Sequence, residues 1–311
     1  MQNKNVLVTG GAGFIGSHLV RELVALGANV RVLDNLSSGR RERLSGLEFE
    51  FMRGDVRSLP DCEKASHGCH VVFHVAAYVS VQGSINNPVL SNAVNFMGTQ
   101  NVRRAATNAG VGRVIFSSSA AVYGDNACPP IVEDTQKAPT SPYGEHKSLS
   151  EHILLSSCDH EAIVLRYFNV YGPGQNPESE YAAVIPKWIN ILLASKTPTI
   201  FGDGRQTRDF VNVCDVARAN IRAATAPNVS GCVFNIGSGF PTSLNMLYDL
   251  LVRITGLNQK PMYEAARDGD IMHSHADVTK AATRMGFTAT TSLTEGLRKT
   301  VDYYRTQLNE S

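Results

Sequence analysis

Eight residues near the start of the chain, TGGAGFIG at 9–16, restrict what it can become. NVLVT (5–9) before them is short, apolar and rich in branched side chains, as a strand requires. IGSHLVRELVAL (15–26) repeats apolar residues at helical spacing, and ANVRVLD (28–34) returns to strand character. A strand, a glycine turn, a helix and a strand within so few residues open a parallel α/β unit. Gly10, Gly13 and Gly16 have distinct tasks in such a unit. One allows the tight turn, one lets backbone amides approach a pyrophosphate, and one lets helix and strand pack closely. The helix N-terminus then faces the phosphate charge. Asp34 ends the second strand, where a carboxylate can hold both hydroxyls of an adenosine ribose and would repel a 2′-phosphate. The expected cofactor is NAD rather than NADP, although Arg40 and Arg41 follow closely enough to bear on the same ribose. Asp55, ending the third strand in RGDV, has two readings: contact with the adenine edge, or a cap for the following helix.

The alternation continues along the chain. VVFHVA (71–76), GRVIFSSS (112–119) and AIVLRYFNVYG (162–172) read as strands, and 91–109 and 143–158 as helices. The expected fold is therefore α/β, a Rossmann-type doubly wound parallel sheet with helices on both faces. Past 172 the pattern is turn-rich, with short strands, and helices are expected over 243–256, 275–287 and 292–308. The helix near 215–225 and the strand GCVFNIG are expected to return to the main sheet. This gives a dinucleotide-binding domain over 1–170, rejoined by 212–236, and a smaller discontinuous α/β region from 171–211 and 237–311.

Composition removes several function classes. Charged residues make up 18% of the 311, with a formal net charge of +1, which gives no support for a nucleic-acid or acidic-membrane surface. No stretch approaches about 18 apolar residues, and the first residues lead straight into a strand. A cytoplasmic protein is expected. The six cysteines, at 62, 69, 128, 158, 214 and 232, form no CxxC pair and are expected to be free thiols. His74 reads as a strand residue beneath the cofactor. The His273/His275 pair lacks a third ligand nearby, so no metal is expected.

The stretch SPYGEHK (141–147) puts Tyr143 and Lys147 at i and i+4, on one face of a helix. A phenol with a free pKa of about 10 is a poor base at neutral pH, but a nearby ammonium and an oxidised nicotinamide favour the phenolate. Lys147 can also hold the nicotinamide ribose. Ser119 ends a strand and shares a face with Ser117, while Ser118 faces the other way. A serine hydroxyl at 119 can hold a reacting hydroxyl in line with the phenol.

These motifs, with HVAA, FSSSAAVYG, RYFNVYGPGQNP, RQTRDFVNVCDV and RDGDIMHSHAD, resemble the extended short-chain dehydrogenase/reductase family, and within it the UDP-hexose 4-epimerases. The resemblance spans nearly the whole chain. It implies a permanently held NAD, a reacting centre of Ser119, Tyr143 and Lys147, and a homodimer joined through helices at about 91–109 and 143–157. It assigns cofactor contacts to Phe14, Ile15, Asn35, Ser37, Gly39, Val56, Ala76, Ala77, Asn95, Ser117 and Tyr167, beside the residues above. On the substrate it implies Asn169 at the sugar–diphosphate link, Arg208 and Arg267 on the diphosphate, Phe201 near the uracil, and Val184. Ser80 either touches the hexose or caps a turn. Without the resemblance, Arg208 beside Asp209, or Arg267 beside Asp268 or Asp270, reads equally as an ion pair, and Phe201 as plain core.

Relatives of this type that eliminate water carry an Asp–Glu pair just after the serine or threonine, and decarboxylases carry a glutamate there. This chain has Ala120 and Ala121, which have no proton to give. A 4-epimerase is the expected activity. UDP-glucuronate 4-epimerase, or a non-catalytic NAD- or nucleotide-sugar-binding protein, is the alternative. Ser274, seven residues past Arg267, stands where the family lines the sugar pocket. A small residue there leaves room for a C2 N-acetyl group, so UDP-GlcNAc/UDP-GalNAc are expected beside UDP-Glc/UDP-Gal.

Overall fold

The computed structural model describes residues 1–125, 127–156, 159–177, 183–257, 260–266 and 271–309. Strands β1 (Asn5–Thr9), β2 (Asn29–Asp34), β3 (Glu50–Arg53), β4 (Val71–His74), β5 (Arg113–Ser119) and β6 (Glu161–Tyr167) belong to one sheet. So does β10 (Val233–Ile236), after β7 (Asn169–Tyr171), β8 (Thr199–Phe201) and β9 (Thr207–Asn212) have been laid elsewhere. The order is β3-β2-β1-β4-β5-β6-β10, parallel throughout. The strand order reverses between β1 and β4, and ligands of such sheets bind beyond the strand ends at that crevice.

Helices cover both faces: α1 (Phe14–Ala25), α2 (Leu59–Ser66), the short α3 (Val81–Asn86) and α4 (Pro88–Ser91), α5 (Gly98–Asn108) and α6 (Pro142–Leu155). The later helices are α7 (Val184–Leu193), α8 (Val213–Thr225), α9 (Leu244–Thr255) and α10 (Leu293–Asn309). With both faces covered, strand residues are apolar almost without interruption. In β1, Val6 and Val8 pack in one core with Leu19 and Leu23 of α1, and Leu7 in the opposite core with Val102 of α5. No helix among the described residues is long and apolar enough to cross a membrane.

The run 162–172 is not one strand. Phe168 still donates its amide to the Ile236 carbonyl, 3.0 Å away, beside β10, but Asn169–Tyr171 pairs with β9 in a second sheet. There β9 is flanked by β11 (Pro241–Ser243) on one side and β13 (His273–Ser274) on the other. A third, two-stranded sheet joins β8 to β12 (Met262–Glu264). Trp188, Phe210, Leu247 and Val301 form the core of this part. The helix expected over 275–287 shrinks to a turn ending in a π-helical stretch, Ala281–Met285. Ala276 is bound by Asp209 and bridged to Ile131, and Gly286 at φ +64 closes the far end.

Asp209 explains how the two sheets are joined. It is fully buried, and its carboxylate accepts from Ser238 N and Oγ (2.7 and 2.6 Å), Gly239 N (3.0 Å) and Ala276 N (3.1 Å). A Cβ on Gly237 would lie 2.4 Å from Oδ2, so only glycine passes there. Replacing the carboxylate strands three amides in the interior. Asp209→Ala is expected to lower stability by about 3 kcal/mol in urea unfolding, against under about 0.5 for an exposed control such as Asp302→Ala.

Candidate active site

The dinucleotide end of the crevice is built by the glycine turn. Gly10 has φ +70, and a Cβ there would lie 2.7 Å from the Ala76 backbone. A Cβ on Gly16 would lie 2.1 Å from the Gly10 carbonyl oxygen. Helix α1 starts after Gly13 with no side-chain cap and no acid in its first turn, so its leading amides remain for an outside anion. Asp34 accepts from Ala12 N (3.0 Å) and Leu36 N (2.8 Å), and Gly39 lets the following loop fold back to within reach of the carboxylate. Arg41 lies on the Phe51 ring, 5.0 Å from its centroid. Ser37 donates its amide to Asn35, and the Asn35 amide group donates to Asp55 at 2.8 Å. Asp55 also binds Arg57, whose hydrogen bonds hold the carboxyl down at about 2. The helix after Asp55 is capped by Ser58 instead. A cradle closed to side chains, an uncapped helix start and a carboxylate at the end of β2 fit a dinucleotide.

The reacting end grows from the start of α6. Ser141 caps this helix, Pro142 occupies its first position, and Gly144 lies so close to the Ala121 carbonyl that a Cβ would stand 2.6 Å from it. That approach brings the buried Tyr143 to the end of β5, with Ser119 close enough to act on its phenol. Burial raises the phenol's pKa, and the Ser119 side chain pulls it back. One turn on, Lys147 donates to the Ser117 carbonyl at 2.6 Å and lies over the Phe116 ring. Burial pushes this ammonium down to about 7, with Glu151 acting against the shift. Ser119, Tyr143 and Lys147 therefore form one constellation. Ala120 and Ala121 follow in a short turn where the Ala121 amide donates to Ser119 Oγ.

Other residues assigned to the cofactor shape the walls. Ser117 Oγ and the Tyr167 hydroxyl bind each other at 2.9 Å, and Asn220 donates to Tyr167. Asn95, at a π-helical stretch (Asn92–Met97), clamps both backbone groups of Tyr78 at 2.8 and 3.0 Å. Ala76 donates its amide to Thr9, and the half-buried Ala77 follows it; Val56 packs on Gly98. Phe14 and Ile15 open α1, with Ile15 against the first core. His74 bridges Thr9 and Thr99, and burial, with Lys147 nearby, pushes it down to about 3, so it is neutral. Ser80 caps α3 through the Gly83 amide.

In the second region, Arg208 and Ser274 are direct register partners on β9 and β13. Arg208 also donates to the Ile271 carbonyl at 2.6 Å. Its neighbour Asp209 is committed to the backbone contacts described above. Asn169 is exposed at the start of β7, Val184 is half-buried at the start of α7, and Phe201 ends β8 half-buried. Arg267, Asp268 and Asp270 lie outside the described residues, as does Cys158; the five described cysteines are free. Among the described residues no cluster of three His, Cys, Asp or Glu side chains could hold a metal ion.

The model of the NAD dependent epimerase/dehydratase family matches residues 6–237. The chain belongs to this family. Solved structures of nearly the same shape exist. A UDP-N-acetylglucosamine 4-epimerase from Methanobrevibacter ruminantium, in complex with UDP-N-acetylmuramic acid, superposes with a TM-score of 0.94 at 38% identity, covering 99% of this chain and 100% of that one. MoeE5, in complex with UDP-glucuronic acid and NAD, gives 0.88 at 37% identity over 97% and 99%. A UDP-glucose 4-epimerase of Mycolicibacterium smegmatis is 39% identical over 315 residues, 96% of this chain and 98% of that protein. The chain is thus similar to NAD-dependent epimerases that act on UDP-sugars.

Reading the sequence missed Glu151, although its spacing, four residues past Lys147, was there to be seen. It is fully buried and accepts from Ser118 Oγ (2.6 Å), Arg166 Nε and Nη2 (2.9 and 2.7 Å) and Lys137 Nζ (3.3 Å). Burial alone would raise its pKa, but the bonds and charge of Arg166, with Ser118 and Lys137, outweigh it and hold the carboxyl low. A depressed folded-state value means that the unfolded chain takes up the proton first as pH falls. The carboxylate's stabilisation is complete above about 4.5 and is lost below it. Glu151→Gln should therefore cost about 3 kcal/mol at neutral pH, where Arg166 is left without its partner. Its urea midpoint should also fall less steeply than the parent's below about pH 4.5, as a series of unfolding curves would show.

Proposed function

We propose that the protein is a UDP-hexose 4-epimerase that interconverts UDP-glucose with UDP-galactose and UDP-N-acetylglucosamine with UDP-N-acetylgalactosamine. The observation that carries this reading is the Ser119–Tyr143–Lys147 constellation followed by two alanines. Tyr143 removes the proton from the C4 hydroxyl and later returns it, and Ser119 holds that hydroxyl in line with the phenol. Lys147, buried against the Ser117 carbonyl, supplies positive charge that favours the phenolate and holds the cofactor's ribose. A bound NAD would supply the acceptor for the C4 hydride and, once reduced, its donor. With no acid or base at 120 and 121, the 4-keto sugar has no route to elimination or decarboxylation, and reduction from its other face inverts C4.

The remaining assignments follow the same reading. The glycine turn holds the pyrophosphate, and Asp34 the adenosine ribose, with Asn35, Asp55 and Val56 toward the adenine. Arg208 and Arg267 neutralise the substrate diphosphate, Asn169 contacts the sugar link, and Phe201 and Val184 line the uridine side. A homodimer is proposed through the helices at 91–109 and 143–157. Met97 and Leu149 support it, because both are apolar and exposed there. A second reading, UDP-glucuronate 4-epimerase, draws on the similarity to MoeE5.

The test is incubation of the purified protein with UDP-galactose, UDP-GalNAc and UDP-glucuronate separately, without added NAD. UDP-glucose and UDP-GlcNAc are the expected products, and epimerisation of UDP-glucuronate alone would favour the second reading. Tyr143→Phe should lose roughly 1,000-fold in turnover while keeping UDP-sugar binding. Ser274→Tyr should lower turnover of UDP-GalNAc roughly 100-fold and leave UDP-galactose within a few-fold. Equal losses on both sugars would remove Ser274 from substrate selection.

A further inference from the structure

Just past β7, three consecutive backbone carbonyls are taken by side chains from three separate elements. His18 Nε2 of α1 binds the Pro173 carbonyl at 2.9 Å. Arg43, in the turn Arg41–Leu44, donates Nη2 to the Gly174 carbonyl at 2.9 Å. The Tyr304 hydroxyl of α10 donates to the Gln175 carbonyl. A segment with no strand or helix of its own is thus fixed at each residue from 173 to 175. It starts at Gly172, with φ +154, where a Cβ would lie 2.5 Å from Val213.

Arg43 does more than hold that segment. Its other nitrogen, Nη1, lies 3.4 Å from the carbonyl of Ala12, which also accepts from the Arg40 amide at 3.0 Å. The Ala12 amide in turn is bound to Asp34 at 3.0 Å. Both backbone groups of Ala12, inside the glycine turn, are therefore spoken for, and the guanidinium ties that turn to the 173–175 segment. None of these bonds uses the leading amides of α1, so the clasp and an anion at the helix start can coexist. An arginine suits the task because its planar fork can serve two carbonyls at once, and it stays charged while half-buried.

We propose that His18, Arg43 and Tyr304 are positioning residues of a clasp that holds the glycine turn against the 173–175 segment and so sets how long a bound dinucleotide stays. The proposal rests on NAD being the resident cofactor. For the pyrophosphate to leave, the turn must deform, and it cannot deform while Ala12 is tethered to the second region through Arg43. The two regions then behave as one body around the cofactor, and retention across turnovers follows from the fold rather than from cofactor contacts alone.

The experiment follows NAD leaving the purified holoenzyme. Excess alcohol dehydrogenase with ethanol reduces any free NAD, and absorbance reports its release. His18→Ala combined with Arg43→Met, which keeps the aliphatic stem, should speed release on the order of 10- to 100-fold. Arg43→Lys, with a single ammonium in place of the fork, should fall between. Tyr304→Phe removes only the hydroxyl and should fold like the parent while releasing NAD a few-fold faster. Turnover with saturating NAD should stay within about twofold of the parent, which a general loss of structure would not allow. Release rates equal to the parent's, with or without a lower urea midpoint, would overturn the clasp and leave the cofactor assignment standing. A parent protein that yields no NAD on denaturation would overturn the cofactor assignment, and the clasp with it.

Discussion

Lys147 holds its ammonium 2.6 Å from the Ser117 carbonyl with almost no access to water, and the surroundings of that charge account for much of the rest. Moving an ammonium into an interior is costly, so its neighbours must be fixed and polar. The inward stripe of α6 is correspondingly polar: Tyr143, Lys147, Ser150 and Glu151 are all buried. Glu151 does not pair with Lys147 directly. It is held by Arg166 and Ser118, and its negative field supports the ammonium from a turn away. Helix α6 is thus seated by hydrogen bonds as much as by apolar packing. The seat places the Tyr143 phenol at Ser119.

That arrangement depends on close backbone approach at two places. Gly144 lets α6 reach the turn after β5, and Gly16 lets α1 reach the glycine turn after β1. Asp209 and the 173–175 segment then fasten the second region to the ends of the strands. Tightly fixed groups around a crevice suit chemistry in which a ketone must be held and reduced in place rather than released.

The local parts of this account were legible in the sequence. Strand and helix periods, the glycine turn and the Tyr143/Lys147 spacing are short-range signals, and the structure has the strand–turn–helix and the shared helix face they predict. What was not legible depends on partners far along the chain. RYFNVYG is one apolar run, and nothing local says that Phe168 is where it changes sheets. The stretch 275–287 has helical character, but Asp209 and Ile131 hold Ala276 extended before a helix can begin. Asp209 looked like half of an ion pair with Arg208, although side chains of neighbouring strand residues face opposite ways. Asn95 clamps a loop, and Ser117 and Tyr167 bind each other. Those contacts follow from tertiary neighbours that spacing alone does not reveal.

The proposed reaction returns the hydrogen removed from C4 to C4 of the same sugar, because Ala120 and Ala121 offer no acid or base that could divert the ketone. Incubating the protein with UDP-galactose carrying deuterium at C4, in ordinary water and without added NAD, tests it directly. Mass and proton spectra of the product should show UDP-glucose with the deuterium retained at C4. Product that has lost the label to solvent, or carries it at another carbon, would contradict the account.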